Sequence, residues 1–448
     1  MRKIILIFFV VFIGNSSFAQ NAINSPFSSY GIGESNGLDH STFLGIGNAT
    51  ISMVDSTVLN FYNPASYSSI GKGQPLFSFG TSTRLSNYKE GSATEFNTNT
   101  SIQHFAFGLS FANRLGMAFG LQPYSRRGYD FNVGDFIDSD SITYTYQGTG
   151  TINKAFLGLS ADILKFDSTR LSVGANFGFL FGNVSNTRKA VLFSTTENGG
   201  VGVKTYDIRS FHYDLGLSFS HQFTPNHSVG VYATFDPLQK LNTTYEEGVY
   251  YASQVDNPNT YDTSYHLSQT AGTLTNVPKL TYGLSYKYRF TDSKKIQRKL
   301  HPEIAVYATY STSDWSKFEN TFSTDTATTF FNTSKISFGV QFMPEAEFQL
   351  NTATTSFLAR VRYRAGFYSY TLPYATNGEQ VSDFGTTFGF GIPVAVQKSL
   401  SSINFGFSVG SRGVADQTQL KENYYGISLG ITIAPGDTEK WFRKRKLN

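Results

Sequence analysis

The chain has 448 residues, with 36 basic and 32 acidic side chains and no cysteine. Charge this close to balance directs no field at nucleic acid, and the lack of cysteine excludes disulfides, thiolate metal sites, a cysteine nucleophile and a lipid-modified N-terminal cysteine. Charged residues make up 15% of the chain, against about a quarter in soluble domains, whereas aromatics reach 16%, with 42 Phe and 27 Tyr beside 41 Gly.

In chain order, residues 1–19 read as a secretory signal peptide. Arg2 and Lys3 precede an apolar run over 4–13, and Ser17-Phe18-Ala19 offers a small-residue cleavage site before Gln20. That run is too short to span a bilayer as a helix, and beyond it the longest unbroken apolar stretch covers only 304–308. Residues 20–74 show neither a strand nor a helix period. From residue 75 the pattern changes. In HFAFGLSF, residues 104–111, Phe105, Phe107, Leu109 and Phe111 fall on one face and His104, Ala106, Gly108 and Ser110 on the other. The same period of two recurs in Tyr213, Leu215, Leu217, Phe219; in Ile336, Phe338, Val340, Phe342; and in Tyr425, Ile427, Leu429, Ile431, Ile433.

A soluble sandwich would turn its aromatics inward and show charges outside. Here the second face is Gly, Ser, Thr, Ala and Asn, as expected of a barrel with lipid outside and a polar interior. Fourteen alternating segments lie within 75–434. Short links at 112–114, around Asp167, at 224–226, 351–355 and 397–402 alternate with long polar ones at 88–100, 125–141, 186–203 and 243–269. Short periplasmic turns and long outer loops predict an all-β, 14-stranded antiparallel transmembrane barrel in a bacterial outer membrane, with both termini periplasmic. The link 291–302 is long and basic where a short turn is expected, and 435–448 forms a basic tail, Lys440, Arg443, Lys444, Arg445 and Lys446, placed in the periplasm.

Just before the first strand, FLGIGNATISMVDSTVLNFYNPASYSSIGKGQPLFSFG sets a Gly-spaced segment, a Ser/Asp step and then Asn63-Pro64-Ala65. From the residues alone this motif is either an ordinary turn into a strand or a turn that reverses the chain inside the lumen, with Pro64 fixing φ and Asn63 closing the turn. The layout over roughly 43–70 resembles the FadL family of outer-membrane transport barrels. That resemblance implies an N-terminal hatch, residues 20–74, plugging the lumen and gated at Asn63, Pro64 and Ala65. It also implies uptake of small, fatty-acid-like hydrophobic molecules, with lateral exit through a break in the third strand, here Gly116, Gly120 and Pro123. The wider group includes barrels that act as non-transporting subunits of secretion or assembly complexes in Bacteroidetes, whose signal endings Phe18-Ala19-Gln20 resembles.

Strand parity turns Arg360, Arg362 and Arg364 inward, a basic ladder about 13 Å long, with Glu345 and Glu347 inward on the preceding strand and one or the other of them brought beside Arg360. Two readings stand: an anion-attracting stripe in a substrate path, or an internal ion-pair network that fills the lumen and holds the hatch. Lys287 and Arg289 are inward by the same parity. Pro123, Pro278, Pro344 and Pro393 each remove a ladder donor, and Pro123 either breaks the third strand or ends it. The seven histidines are scattered, with no HExxH and no GxSxG, so no enzyme activity, metal or cofactor is expected. The expected partners are outer-membrane lipid, a small hydrophobic ligand, and other outer-membrane or periplasmic proteins, with no nucleic acid.

Overall fold

A strand that carries large apolar side chains on one face and small or polar ones on the other is satisfied in a membrane only when its backbone pairs on both sides, which requires a closed ring. The computed structural model has this ring. It describes residues 25–35, 40–71, 74–137, 140–192, 198–291, 300–322, 329–347, 355–376, 378–394, 401–414 and 419–434. Ahead of the wall come a two-residue strand β1 (Glu34–Ser35), a one-turn helix α1 (Ser41–Leu44) and a 3-10 turn, Pro64–Ser69. The wall is built from β2 (Leu76–Glu90), β3 (Ala93–Ala112), β4 (Leu115–Ile137), β5 (Asp140–Lys165), β6 (Thr169–Leu192), β7 (Gly199–Thr224), β8 (His227–Asp236), β9 (Gln239–Ala252), β10 (Tyr261–Asn276), β11 (Lys279–Arg289), β12 (Glu303–Ser313), β13 (Thr333–Met343), β14 (Arg362–Thr376), β15 (Glu379–Pro393), β16 (Ser402–Gly413) and β17 (Lys421–Ile433).

Neighbours pair antiparallel throughout, and β17 closes on β2 with Ile433 opposite Phe77. β8 and β9 are one wall strand interrupted at Pro237, and β10 and β11 are another interrupted at Pro278. Counted this way the ring has the expected fourteen strands. Its outer face exposes Phe105, Phe119, Leu157, Phe177, Phe388 and Ile427, the apolar band of a membrane barrel. Among the described residues no helix is long and apolar enough to cross a membrane.

Three expectations are corrected. The stretches 88–100, 125–141, 186–203 and 243–269 are largely strand, not loop: β2 and β3 meet at Gly91, and β5 and β6 pair out to Ile142↔Leu192. Ser, Thr, Asn, Gly and charged residues dominate there, with aromatics such as Phe96, Phe136 and Tyr251 scattered among them, and the backbones still pair. Second, the segment expected to begin at 356 starts as a wall strand only at Arg362, since residues Phe357–Arg360 form a helical turn, α2, after Ser356. Phe357, Leu358 and Ala359 are apolar in succession and do not alternate. Third, β13 ends at Met343, where Pro344 can supply no donor, so Glu345 and Glu347 lie beyond the strand. The basic tail 435–448 and most of the link 291–302 lie outside the described residues.

The lumen is filled by the segment that does not alternate. Phe43, Ile46, Ala49, Met53, Leu59, Ala65 and Tyr67 are essentially inaccessible. Leu59, Phe61, Tyr67 and Ile70 pack on Leu76, Ala106, Ala118 and Phe156 of the wall, and Phe43, Ile46 and Met53 pack on Ala305 and Tyr307 across the lumen. Ile433 sits at the short-turn end of the barrel, and Ser25 donates its N–H to the Gly128 carbonyl (2.6 Å), well along β4 from the turn at 113–114; both termini themselves lie outside the described residues.

Candidate functional site

Asn63, Pro64 and Ala65 are brought together as a compact unit. The Asn63 Oδ1 accepts from the Ala65 N–H (3.2 Å), its Nδ2 donates to the Ile51 carbonyl (3.1 Å), and Pro64 opens the 3-10 turn. A proline at the first position of a helical turn costs nothing, because that N–H would have no partner within the turn. The motif lies flat on the wall because four successive strands, β4 to β7, present glycine to it. A Cβ at Gly116 would overlap the Tyr67 backbone, at Gly158 the Tyr67 ring, at Gly174 the Pro64 carbonyl, and at Gly216 would stand 2.9 Å from the Pro64 ring and 3.0 Å from Asn63 Oδ1. Opposite, Gly339 and Gly366 admit the backbone of Ile46 and Gly47 in the same way. Gly47 has φ of 66° and donates its N–H to Thr387 Oγ1 (3.0 Å). Asn176 completes the seat, donating to the Phe61 carbonyl (3.2 Å) and accepting from the Tyr67 hydroxyl (2.7 Å). Sequence reading missed this bed of glycines, although the signal was there as Gly at inward parity on consecutive strands.

The predicted charge ladder is divided. Arg362 and Arg364 remain on β14: Arg362 Nη1 donates to Thr57 Oγ1 of the lumen segment (3.1 Å), and Arg364 donates to Gln341 Oε1 (2.8 Å) and Asn404 Oδ1 (3.0 Å). Arg360, set off the wall by α2, donates to the Thr355 carbonyl. Glu345 turns to His301, accepting its backbone N–H (3.2 Å), and the Glu347 N–H donates to Glu345 Oε1 (2.9 Å). Beyond the ladder the Glu345 N–H still donates to the Ala359 carbonyl (2.9 Å), next to Arg360, while the Glu345 carboxylate turns to His301 and forms no ion pair with Arg360 among the described residues. Lys287 donates to the Val54 carbonyl (3.3 Å), and Arg289 pairs with Glu303 (2.6 Å). Near Arg362 and Lys287, burial acts to raise the Asp55 carboxyl, but these two cations more than reverse it and hold the group well below the ordinary carboxylate value.

A second ion cluster was not anticipated. Arg412 Nη2 meets Glu34 Oε1 at 2.6 Å and Asp383 Oδ2 at 2.8 Å, and Arg84 Nε meets Glu422 Oε1 at 3.0 Å. Only Glu34 in this group comes from the N-terminal segment, so the pair Glu34–Arg412 ties that segment to the wall. For Glu34 too burial opposes ionisation, and Arg412 with Arg84 overcomes it, leaving the carboxyl below its ordinary value.

Of the proposed third-strand break, Gly116 and Gly120 lie within intact pairing with β3, and Gly120 packs against the Phe105 carbonyl. Pro123 does mark a change. The β3–β4 ladder runs from Ala112↔Leu115 to Phe105↔Leu121 and stops; beyond it Ser125 and Arg126 pair with Ser35 and Glu34 of β1. Arg126 spans the split, donating to Ser101 Oγ and the Ile102 carbonyl, both at 2.7 Å.

Above the motif a cavity of about 300 Å³ remains between the N-terminal segment and the wall. Tyr30, Tyr62 and Tyr124 line it together with Glu34, Lys154, Asp214, His212, Asp236 and Lys279. Lys154 pairs with Asp214 (2.6 Å), and His212 Nε2 lies 3.1 Å from Asp236 Oδ2. Such a lining takes a polar or amphipathic guest rather than a wholly apolar one. Among the described residues no group of three or more His, Cys, Asp or Glu is placed to hold a metal ion.

In overall fold the chain is similar to the CymD monoaromatic hydrocarbon channel, with a TM-score of 0.51 and 13% identity over 90% of this chain and 99% of that one. A Pseudomonas aeruginosa FadL homologue gives 0.49 at 9% identity over 88% and 98%, and the Ralstonia pickettii toluene transporter TbuX gives 0.45 at 13% over 91% and 99%. No curated protein matches in sequence. The closed ring and the lipid-facing aromatics make the protein a transmembrane β-barrel of the outer-membrane type, and the likeness to the CymD channel is one of fold. The BamG family model matches residues 1–448, and the chain belongs to the BamG family.

Proposed function

We propose that this barrel is a sealed, non-transporting subunit of an outer-membrane protein assembly, and that it works by presenting surfaces to other envelope proteins. The observation that carries this reading is the bed of glycines under Asn63-Pro64-Ala65. Gly116 and Gly174 meet the backbone of Tyr67 and Pro64, and Gly158 and Gly216 meet the rings of the same two residues, so the lumen segment loses close packing on four strands at once if it slides. A hatch seated in this way is a permanent seal, and the ion pair Glu34–Arg412 pins its other end. The surfaces left for work are the apolar wall and the long polar hairpins, with Phe96, Phe136 and Tyr251 exposed upon them. In this reading the short turns face the periplasm, where the basic tail 435–448 meets anionic headgroups or a protein partner.

A second reading, uptake of a small hydrophobic molecule with lateral exit, is favoured by the split at Pro123, which adjoins the cavity. It takes support from the fold shared with the CymD channel. Purification from native membrane in mild detergent separates the two. A stoichiometric particle with other envelope proteins and no extractable hydrophobe supports the subunit. A lone barrel carrying a hydrophobe, with stepwise conductance in planar bilayers, sinks the subunit and supports uptake.

A further inference from the structure

One wall strand keeps a bare edge beyond the apolar band. β3 pairs with β4 only from Ala112↔Leu115 to Phe105↔Leu121, whereas it pairs with β2 as far as Ala93↔Glu90. Toward the hairpin tip β3 is therefore laddered on one side alone. Which residues face the open side follows from the turn. Glu90 and Ala93 flank the two-residue turn Gly91-Ser92 and form its closing hydrogen-bonded pair. Every second residue along β3 then turns its N–H and C=O away from β2. Thr94, Phe96, Thr98, Thr100 and Ile102 direct both groups into the split between β3 and β4. Arg126 fixes the phase independently, because it reaches across from β4 to the Ile102 carbonyl (2.7 Å).

The two lips of the split differ. On β4, Ser125 and Arg126 pair with Ser35 and Glu34, the Ser25 N–H donates to the Gly128 carbonyl (2.6 Å), the Gly128 N–H donates to Ser28 Oγ (3.0 Å), and the Phe136 N–H donates to Asp135 Oδ1 (2.8 Å). On β3, Thr94, Phe96, Thr98 and Thr100 have no ladder partner on this side among the described residues. Natural edges are blunted by lysine, proline or a bulge. Residues 93–100, ATEFNTNT, hold no lysine and no proline, and their pairing with β2 runs without a register shift. Threonine at alternate positions suits a strand with a neighbour on each side. The exposed charged residues of 88–100 and 127–136 are Glu90, Glu95, Asp130 and Asp135 against Lys89, so the rim is acidic.

We infer that the β3 edge at 94–100 is a docking site for an extended, basic segment of a partner envelope protein, which adds to β3 as a further strand. Main-chain hydrogen bonds supply the affinity, Phe96 on the outer face packs against a side chain of the incoming strand, and the acidic rim selects Lys and Arg over Asp and Glu. The inference rests on the subunit reading above and states where the partner holds. It requires no movement of the plug and passes nothing through the wall.

Thr98→Pro is the test. It removes one N–H that points into the split and leaves the β2 ladder intact, as proline on an edge does, whereas Thr98→Val alters the side chain and keeps the N–H. The full chain is purified from native membrane in mild detergent with its partners, and amide exchange over 93–102 is compared with that of the same barrel refolded alone. Exchange in the complex should be at least about tenfold slower. Thr98→Pro should weaken the partner's retention about tenfold, Thr98→Val should keep it, and Glu95→Lys with Asp135→Lys should weaken it in a salt-dependent manner. Retained electrophoretic heat-modifiability shows that each variant folds. A stoichiometric complex that tolerates Thr98→Pro, or whose 93–102 amides exchange as fast as in the lone barrel, overturns docking at this edge and leaves the subunit reading standing. Indifference to the charge reversal overturns the basic occupant. A particle of two copies of this chain joined at 93–102 overturns the partner, and a wild-type barrel that emerges alone overturns both readings.

Discussion

Gly174→Val tests whether the lumen segment is seated as rigidly as its packing implies. The added Cβ would overlap the Pro64 carbonyl carbon and oxygen and the Ala65 nitrogen, all backbone atoms, so no rotamer change relieves it. Overpacking of this kind costs about 1–3 kcal/mol. Shifting Pro64 also loosens the two Asn63 hydrogen bonds, to Ala65 and Ile51, at about 0.5–1.5 kcal/mol each. The expected loss in seating of the plug is therefore roughly 2–6 kcal/mol, while the wall, where valine suits a strand better than glycine does, keeps its fold. Protease susceptibility of residues 40–70, read beside heat-modifiability of the barrel, separates the two effects. Gly134→Val is the matched control, since a Cβ there meets nothing within 4 Å. A Gly174→Val barrel that folds and protects its plug as well as the Gly134→Val barrel refutes the reasoning.

At the other end of the segment, Glu34→Gln leaves Arg412 still paired with Asp383. It should cost about 1.5–3 kcal/mol and free residues 25–35 to protease without unfolding the wall. Arg412→Met instead leaves Glu34, Asp383 and Glu422 facing one another with Arg84, and Arg126 near Glu34, as the remaining cations; a loss of about 3–5 kcal/mol is expected, seen as a lower melting temperature than Glu34→Gln gives. Both Glu34 and Asp55 have carboxyls held below their ordinary values in the folded protein. Their contribution is complete above the unfolded values of about 4.3 and 3.9 and is lost as pH falls through the lower folded values. The buried His40 imidazole, held well below its ordinary value by burial and by the neighbouring His104, takes up a proton only when the plug is unseated, so plug protection should begin to weaken as pH falls through about 6.5 and fall further below the usual carboxylate range; protection that stays level down to pH 5 would contradict this.

The amino-acid sequence by itself determined the barrel and its strand number, because a period of two with aromatics on one face and small residues on the other is a local property, repeated strand by strand. Asn63-Pro64-Ala65 was also legible, since its turn chemistry is held within three residues. Where lumen charges meet was not. The wall strands end at Met343 and resume at Arg362, so Glu345, Glu347 and Arg360 lie beyond them, and parity carried past the end of a strand no longer fixes which way a side chain turns. Extension of the hairpins was missed because polar and charged residues dominate 88–100, 125–141, 186–203 and 243–269, and a loop composition does not prevent two backbones from pairing. Only the tertiary structure decided the pairing of Glu34 with Arg412 and the fit of Pro64 onto Gly174. Each joins residues far apart in sequence, and closure of the ring, not any local pattern, sets the distance between them.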